Sequence, residues 1–184
     1  ALHDTLKHIR YNNIAFTTYL ETPIGTMVAV ATEEGLFLLQ FADSKMLETQ
    51  LNCLKMNLEP IPNPSNHCFL KKTNRELQRY FRGNLTTFSV PLVINGSDFQ
   101  RSAWNFLRKI PYGETRSYKD QAQAIGRPNT QRAVGCANSS NRLSILIPCH
   151  RVICSNGSMS GYAGEVWRKS FLLDLERKQH SLRL

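Results

Sequence analysis

The chain has no apolar run approaching the length of a membrane span or a secretory signal, which excludes a helix-anchored membrane protein and leaves no membrane partner to expect. Cysteine is sparse: five residues, an odd number, with no Cys-x-x-Cys pair. That usage argues against a disulfide framework and for reduced thiols in a cytosolic setting. Metal-ligand spacing is also missing, because the adjacent His67 and Cys68 have no second pair to complete a tetrahedral set. Acidic residues are in deficit, 14 against 23 lysines and arginines, for a formal net charge of +9. Such an excess suits a polyanion or an anionic surface and does not choose between them. What remains is 184 residues with 41% hydrophobic content, enough for one or two small cores.

Residues 1–95 read as an α/β domain with a small antiparallel sheet and helices. The apolar runs at residues 26–31 and 36–41, separated by Thr32-Glu33-Glu34-Gly35, predict a β-hairpin with Gly35 in the turn. Leu47, Leu51, Leu54 and Leu58 recur at helical spacing. Beyond the proline-rich loop at residues 60–64, Leu70, Leu77, Tyr80 and Phe81 mark a second, basic helix. Residues 88–95 are expected as a last strand before Gly96 opens the link. No catalytic constellation stands out here, so the half reads as a scaffold.

Residues 96–184 read as a mainly helical, winged-helix-like domain carrying a helix-turn-helix. Ser97-Asp98-Phe99-Gln100 has the form of a capping box, and Phe99, Ala103, Phe106, Leu107 and Ile110 share one helical face. Ser117 to Asp120 repeats the cap before a short helix through Tyr118, Ala122 and Ile125, ending at Gly126. After the turn Arg127-Pro128-Asn129, Ala133, Val134 and Ala137 give the apolar side of a further short helix. Its residues 133–137 are all small, with Arg132 at their head, so the helix can approach a groove wall closely yet carries almost no hydrogen-bond code.

The chemistry concentrates at Pro148-Cys149-His150-Arg151, which closes the apolar run Leu143-Ser144-Ile145-Leu146-Ile147. A buried extended run that stops at a proline sets a soft nucleophile, a titratable base and a cation at the edge of a core. Neighbours on an extended chain point to opposite faces, so Cys149 and His150 can act together only through a local bend or a bridging water. Further on, Trp167, Phe171, Leu172 and Leu175 form an apolar stripe that Glu176 borders. Glu176 lacks a Lys or Arg at helical contact distance, which favours an inward role, while Lys169 two turns back favours an ordinary surface pair.

The run from Asn141 through Cys149 to Ile153, continued by Ser160-Gly161-Tyr162-Ala163-Gly164, resembles the active-site segment of the methylated-DNA–protein-cysteine methyltransferases, or O6-alkylguanine-DNA alkyltransferases. The likeness extends over residues 99–176; the first half agrees only in its general pattern of strands and helices. The resemblance implies a single-turnover repair reaction on double-stranded DNA by a monomer with no cofactor. An alkyl group would pass from O6-alkylguanine, and less readily O4-alkylthymine, to Cys149 after the base is flipped out. His150 would take the thiol proton through a water and Glu176 would fix the imidazole, giving a thiolate with a depressed pKa. Tyr118 would donate to a guanine ring nitrogen, and Asn141 would tie the helix-turn-helix to the cysteine segment. Arg132 would enter the vacated stack with Ala133 and Gly135 against the minor groove, and Arg151 would join the DNA-binding set. Val152, Tyr162 and Ala163 would wall the pocket, where carbonyls near Cys149 and Val152 would accept from the exocyclic amine. Ala163 stands where some relatives have serine, so a contact there falls to its backbone amide. A domain cut from a larger Ada-type regulator is a further expectation, although nothing resembles the cysteine-rich zinc domain of those proteins.

Two rival classes follow from the same residues. A DNA-binding module without chemistry would use the helix-turn-helix and the charge but not Cys149, His150 and Glu176. A thiol hydrolase would need that set but not a small-residue helix headed by Arg132.

Overall fold

The computed structural model describes residues 14–54, 57–61, 63–159, 162 and 164–181. Its N-terminal half is built on a four-stranded sheet of order β3-β2-β1-β4, formed by β1 (Ile14–Leu20), β2 (Met27–Thr32), β3 (Gly35–Phe41) and β4 (Asn57–Pro60). The hairpin of β2 and β3 is antiparallel as expected, with a bulge at Val30/Ala31. That bulge leaves Phe37 and Leu38 both on the face with Val28 and Val30, while Leu36, Leu39 and Phe41 join the main core. Two strands escaped the sequence reading. β1 (IAFTTYL) carries two adjacent threonines, Thr17 and Thr18, between apolar residues, which breaks its period-two signal, and β4 runs parallel to it, making the sheet mixed rather than wholly antiparallel. Leu58, counted as the fourth apolar turn of a helix, lies in β4, so α1 (Leu47–Asn52) is only six residues long.

Residues 88–95 form no strand. They touch the edge of β3 at one bridge, Leu36 to Leu92, where the Leu36 N–H donates to Pro91 O and the Val93 N–H to Leu36 O. Pro91 cannot donate, which stops the ladder. A Cβ at Gly35 would sit 2.6 Å from Pro91 O, so this crossing requires glycine. Helix α2 (Cys68–Phe81) presents Leu70, Leu77 and Tyr80 to the main core.

Both predicted capping boxes are present. Ser97 and Gln100 close the start of α3 (Asp98–Leu107), and Ser117 and Asp120 that of α4 (Tyr118–Ala124). At the end of α4, Gly126 takes φ +70, the left-handed conformation that lets Arg127 N–H return to Ala122 O and stops the helix. Helix α5 (Gln131–Ser139) follows, with Val134 and Ala137 inward and Ala133 turned to solvent rather than to the apolar side. The helix-turn-helix is locked by a reciprocal amide pair: Gln121 Nε2 donates to Asn138 Oδ1 at 3.0 Å and Asn138 Nδ2 to Gln121 Oε1 at 2.8 Å. Gln121 Nε2 also donates to Ala103 O, and Trp104 Nε1 to Ala137 O, which fastens both helices to α3.

Helix α6 (Val166–Ser181) crosses back to the N-terminal half and corrects the expected stripe. Trp167 and Phe171 are 53% and 40% exposed, while Arg168, Lys169, Leu172, Leu173 and Glu176 are buried. Charged residues face inward because each finds partners there. Arg168 donates to Ile24 O, pairs bidentately with Asp43 and stacks 4.2 Å from the Phe41 ring centroid. A single core therefore runs from the sheet through α2 and α3 to α6.

Gln121→Ala leaves the buried Asn138 amide and Ala103 carbonyl without their partner. It is expected to lower stability by about 2 kcal/mol, read in denaturant melts; an unchanged midpoint would remove the amide pair from the forces that hold the two helices.

Candidate active site

The apolar run before Cys149 is a compact turn, not the extended segment its composition suggested. Ile145 adopts φ +73, a conformation costly for a β-branched residue, and Ile147 N–H closes onto Leu143 O. Pro148, at φ −81 and ψ 66, makes an inverse γ-turn in which Cys149 N–H donates to Ile147 O at 2.8 Å. One 3-10 turn, Cys149–Arg151, then throws three successive side chains into the core, and β6 (Val152–Ile153) pairs with β5 (Arg116–Ser117). The chain therefore bends at Cys149–Arg151.

Asn141 organises the turn. Its Nδ2 donates to Ile147 O at 2.8 Å and lies 3.3 Å from Cys149 Sγ, and its Oδ1 accepts from Leu143 N–H. The residue sits two positions after α5, so it joins the helix-turn-helix to the cysteine through side-chain bonds to backbone and sulfur.

Glu176 is fully buried, and its carboxylate collects donors from three segments. Oε1 accepts from Tyr80 Oη at 2.7 Å and Arg151 Nη2 at 3.0 Å and lies 2.9 Å from His150 Nε2. Oε2 accepts from Arg151 Nε at 2.8 Å and Gly113 N at 3.1 Å. Burial alone would push this carboxyl up, but the His150 and Arg151 contacts outweigh it and hold the group well below the usual carboxylate range. Since an ionised carboxylate only accepts, the proton between the two groups sits on Nε2, leaving Nδ1 with the lone pair. Nδ1 is buried with no hydrogen-bond partner among the described residues.

Burial also pushes the Cys149 thiol up, against the Asn141 hydrogen bond, the Lys169 charge and the backbone amides of Cys149 and His150. His150 is driven down by burial, opposed by Glu176. The resting pair is therefore neutral thiol and neutral imidazole. This corrects the expectation of a pre-formed thiolate with a depressed pKa: 7% exposure of Cys149 costs an anion more than the nearby donors return.

Arg151 is the clearest departure from the sequence reading. It is 7% exposed, with Nη1 on Ile110 O and Nε and Nη2 on Glu176, so it neutralises the carboxylate and has no free face for DNA. Lys169 does not pair with Glu176; its Nζ donates to Val152 O at 2.6 Å and lies 5.7 Å from the Tyr118 ring centroid. Val152 O keeps one lone pair for a further donor. Tyr162 is largely buried, with Cys149 and Ser144 in its electrostatic surroundings. Ala163, expected to wall the pocket, lies outside the described residues, as do Ser160 and Gly161 of the same segment.

A cleft of about 860 Å³ opens beside this centre, lined by Tyr118, Arg132, Gly135, Cys136, Cys154 and, from the N-terminal half, Met46 among others. Arg132, Ala133 and Cys136 are exposed along α5. Cys149 is buried and does not line the cleft. Sequence reasoning missed Tyr80, Gly113 and Met46. Nothing local marks them: Tyr80 lies 96 residues from Glu176, and its aromatic character reads as core packing.

Both halves of the chain match known domains of one family. Residues 15–94 match the ribonuclease-like domain, and residues 98–178 the DNA binding domain, of 6-O-methylguanine DNA methyltransferase. The chain is 43% identical over 156 residues to the methylated-DNA–protein-cysteine methyltransferase of Methanosarcina acetivorans, covering 85% of this chain and 94% of that one. It is 39% identical over 163 residues to the constitutive methylated-DNA–protein-cysteine methyltransferase of Bacillus subtilis, with 88% and 95% covered. Among solved structures, the O6-methylguanine methyltransferase of Mycobacterium tuberculosis superposes with a TM-score of 0.77 at 35% identity, over 90% of this chain and 94% of that one. The OGT of the same organism, in complex with DNA, gives a TM-score of 0.77 at 36% identity over the same shares. With likeness of this extent in both domains, the chain belongs to the methylated-DNA–protein-cysteine methyltransferases, the family that repairs O6-methylguanine in DNA.

Proposed function

We propose that Cys149 is the alkyl acceptor and that His150 Nδ1 collects its proton through a bridging water. The observation that carries this reading is the commitment of His150 Nε2 to an ionised Glu176, which leaves a buried lone pair on Nδ1, one residue from the thiol, with no partner among the described residues. As the proton leaves, Cys149 Sγ attacks the alkyl carbon and a sulfur–carbon bond forms. The carbon–O6 bond breaks with its electron pair going to the purine, whose ring nitrogen meets the Tyr118 hydroxyl. The product is a thioether with no good leaving group, so the protein acts once. No step calls for a metal or an organic cofactor. A resting thiol suits such a protein, because a standing thiolate would be consumed by stray oxidants and electrophiles.

The DNA side of the reading rests on α5. Its exposed Arg132 and small Ala133 and Gly135 line or border the cleft beside Tyr118, the surface expected of a minor-groove reader that must accept any sequence. A protein thiol cannot reach a stacked base, so the damaged nucleotide is flipped through the cleft to Cys149, with Arg132 filling the space it leaves. O6-alkylguanine is the preferred substrate and O4-alkylthymine the lesser one. Val152 O, beside Lys169, and the Cys149 carbonyl identify guanine by its exocyclic amine. Tyr162 walls the pocket. The protein works as a monomer inside the cell, and the domain boundary falls between residues 95 and 96.

Incubation with duplex DNA carrying labelled methyl groups on guanine O6 should place a single methyl on Cys149 by peptide mass analysis. Cys149→Ser should abolish transfer and keep lesion binding; label on Cys53, Cys68, Cys136 or Cys154 of the native protein would overturn the assignment. Arg132→Ala should slow repair of duplex by roughly ten- to a hundredfold, the weight of the few kcal/mol that flipping costs. Its reaction with free O6-methylguanine base should stay near the wild-type rate, and equal slowing on both substrates would make Arg132 a pocket residue instead. At Gly135 a Cβ would come no closer than 3.8 Å to Tyr118, so the fold itself tolerates alanine. Gly135→Ala should therefore raise stability by about 0.5–1 kcal/mol while weakening duplex binding; unchanged binding would show that the groove makes no close approach there.

A further inference from the structure

We propose that Tyr80, from the N-terminal half, is a positioning residue for alkyl transfer: its hydroxyl, donated to the Glu176 oxygen that also holds His150, limits how strongly that carboxylate retains the imidazole proton. The inference rests on the reading of His150 as the base.

Tyr80 is fully buried on α2, and its hydroxyl lies 2.7 Å from Glu176 Oε1, shorter than the 2.9 Å from that oxygen to His150 Nε2. Packing does not account for the hydroxyl. The ring is held by edge and tilted contacts with Phe81, Phe88 and Tyr112, at centroid distances of 5.3, 5.4 and 6.0 Å, and a phenylalanine would keep all of them. Satisfying Glu176 does not account for it either, because Arg151, Gly113 and His150 already give the carboxylate donors on both oxygens.

What the hydroxyl changes is charge. Every donor that shares the carboxylate's electron density makes it a weaker partner for the imidazole N–H. The charged and titratable groups acting on His150 are Glu176, which raises its proton affinity, and Arg151 and Lys169, which lower it, with Cys149 as its neighbour in the chain. Those acting on Tyr80 are Glu176, Arg151 and Tyr112, and burial followed by Glu176 drives its phenol far above the usual range. Tyr80 is thus a permanent donor. With it in place Glu176 orients His150 without making it too basic, so the imidazole stays neutral, with Nδ1 able to receive the thiol proton. Without it, Glu176 holds the Nε2 proton more strongly, the imidazolium is favoured, and a proton from solvent occupies Nδ1 at higher pH.

The test is the pH–rate profile of methyl transfer from a saturating O6-methylguanine duplex, compared among wild type, Tyr80→Phe, His150→Ala and a protein carrying 3,5-difluorotyrosine at position 80. Rate falls on the acid side as His150 becomes protonated. Tyr80→Phe should move that limb upward by about one pH unit and leave the alkaline rate unchanged. The fluorinated phenol, a stronger donor that keeps every packing contact, should move it downward, and it decides the question if Tyr80→Phe folds poorly. A limb that stays in place in the fluorinated protein, or a uniform loss of rate at every pH, would overturn the role of Tyr80. If the acid limb persists in His150→Ala, the relay itself fails and Tyr80 falls with it; if that limb vanishes while neither position-80 variant shifts it, Tyr80 alone is wrong.

Discussion

Taking a carboxylate out of water costs on the order of several kcal/mol even after relaxation, and Glu176 has no exposure at all. Its ionisation is sustained by Tyr80, Gly113, His150 and Arg151, which come from α2, the turn after α3 and the cysteine turn. Each of those segments is pinned by the need to keep its donor in place. The tautomer of His150, the burial of Arg151 and the contact of the N-terminal half with the chemistry all follow from that one group. Removing His150 or Arg151, whose contacts hold the carboxyl ionised, leaves a buried charge short of compensation.

Helix α6 supplies this carboxylate and two buried cations. Arg168 anchors the helix to the sheet through Asp43 and Ile24 O, and Lys169 holds Val152 O, the residue that leads the chain out of the cysteine turn. The helix therefore acts as a strut between the N-terminal sheet and the active-site turn. The N-terminal half, which offers no catalytic set of its own, is joined to the chemistry through Tyr80 and to the cleft through Met46. The active centre accordingly belongs to both halves.

Electrostatics divides the molecule by depth. In the interior, positive charge is consumed: Arg151, Arg168 and Lys169 all meet acceptors. Arg132, by contrast, is exposed along α5, where its charge is available to a polyanion. Burial keeps the Cys149 thiol and the His150 imidazole uncharged. Helix α5 stays small and polar-poor outside because Val134, Ala137 and Asn138 secure it from within.

Much was legible in the order of residues. Both capping boxes, the β2–β3 hairpin, the glycine stop before α5 and the Cys-His pair were readable, because caps, turns and nucleophile motifs are local and depend on residue type at short spacing. The inward placement of Glu176 was half legible, through the missing basic partners on its own helix. The rest required tertiary structure. β1 and β4 are defined by pairing with each other across the sheet, and the apolar run before Cys149 becomes a turn because Asn141 and Pro148 close it. Arg151 and Lys169 read as surface charges because burial of a cation is decided by distant acceptors, which no local pattern encodes. Sequence determined which groups could do the chemistry; the fold decided their protonation and which of them meet, since both depend on desolvation and on partners far apart in the chain.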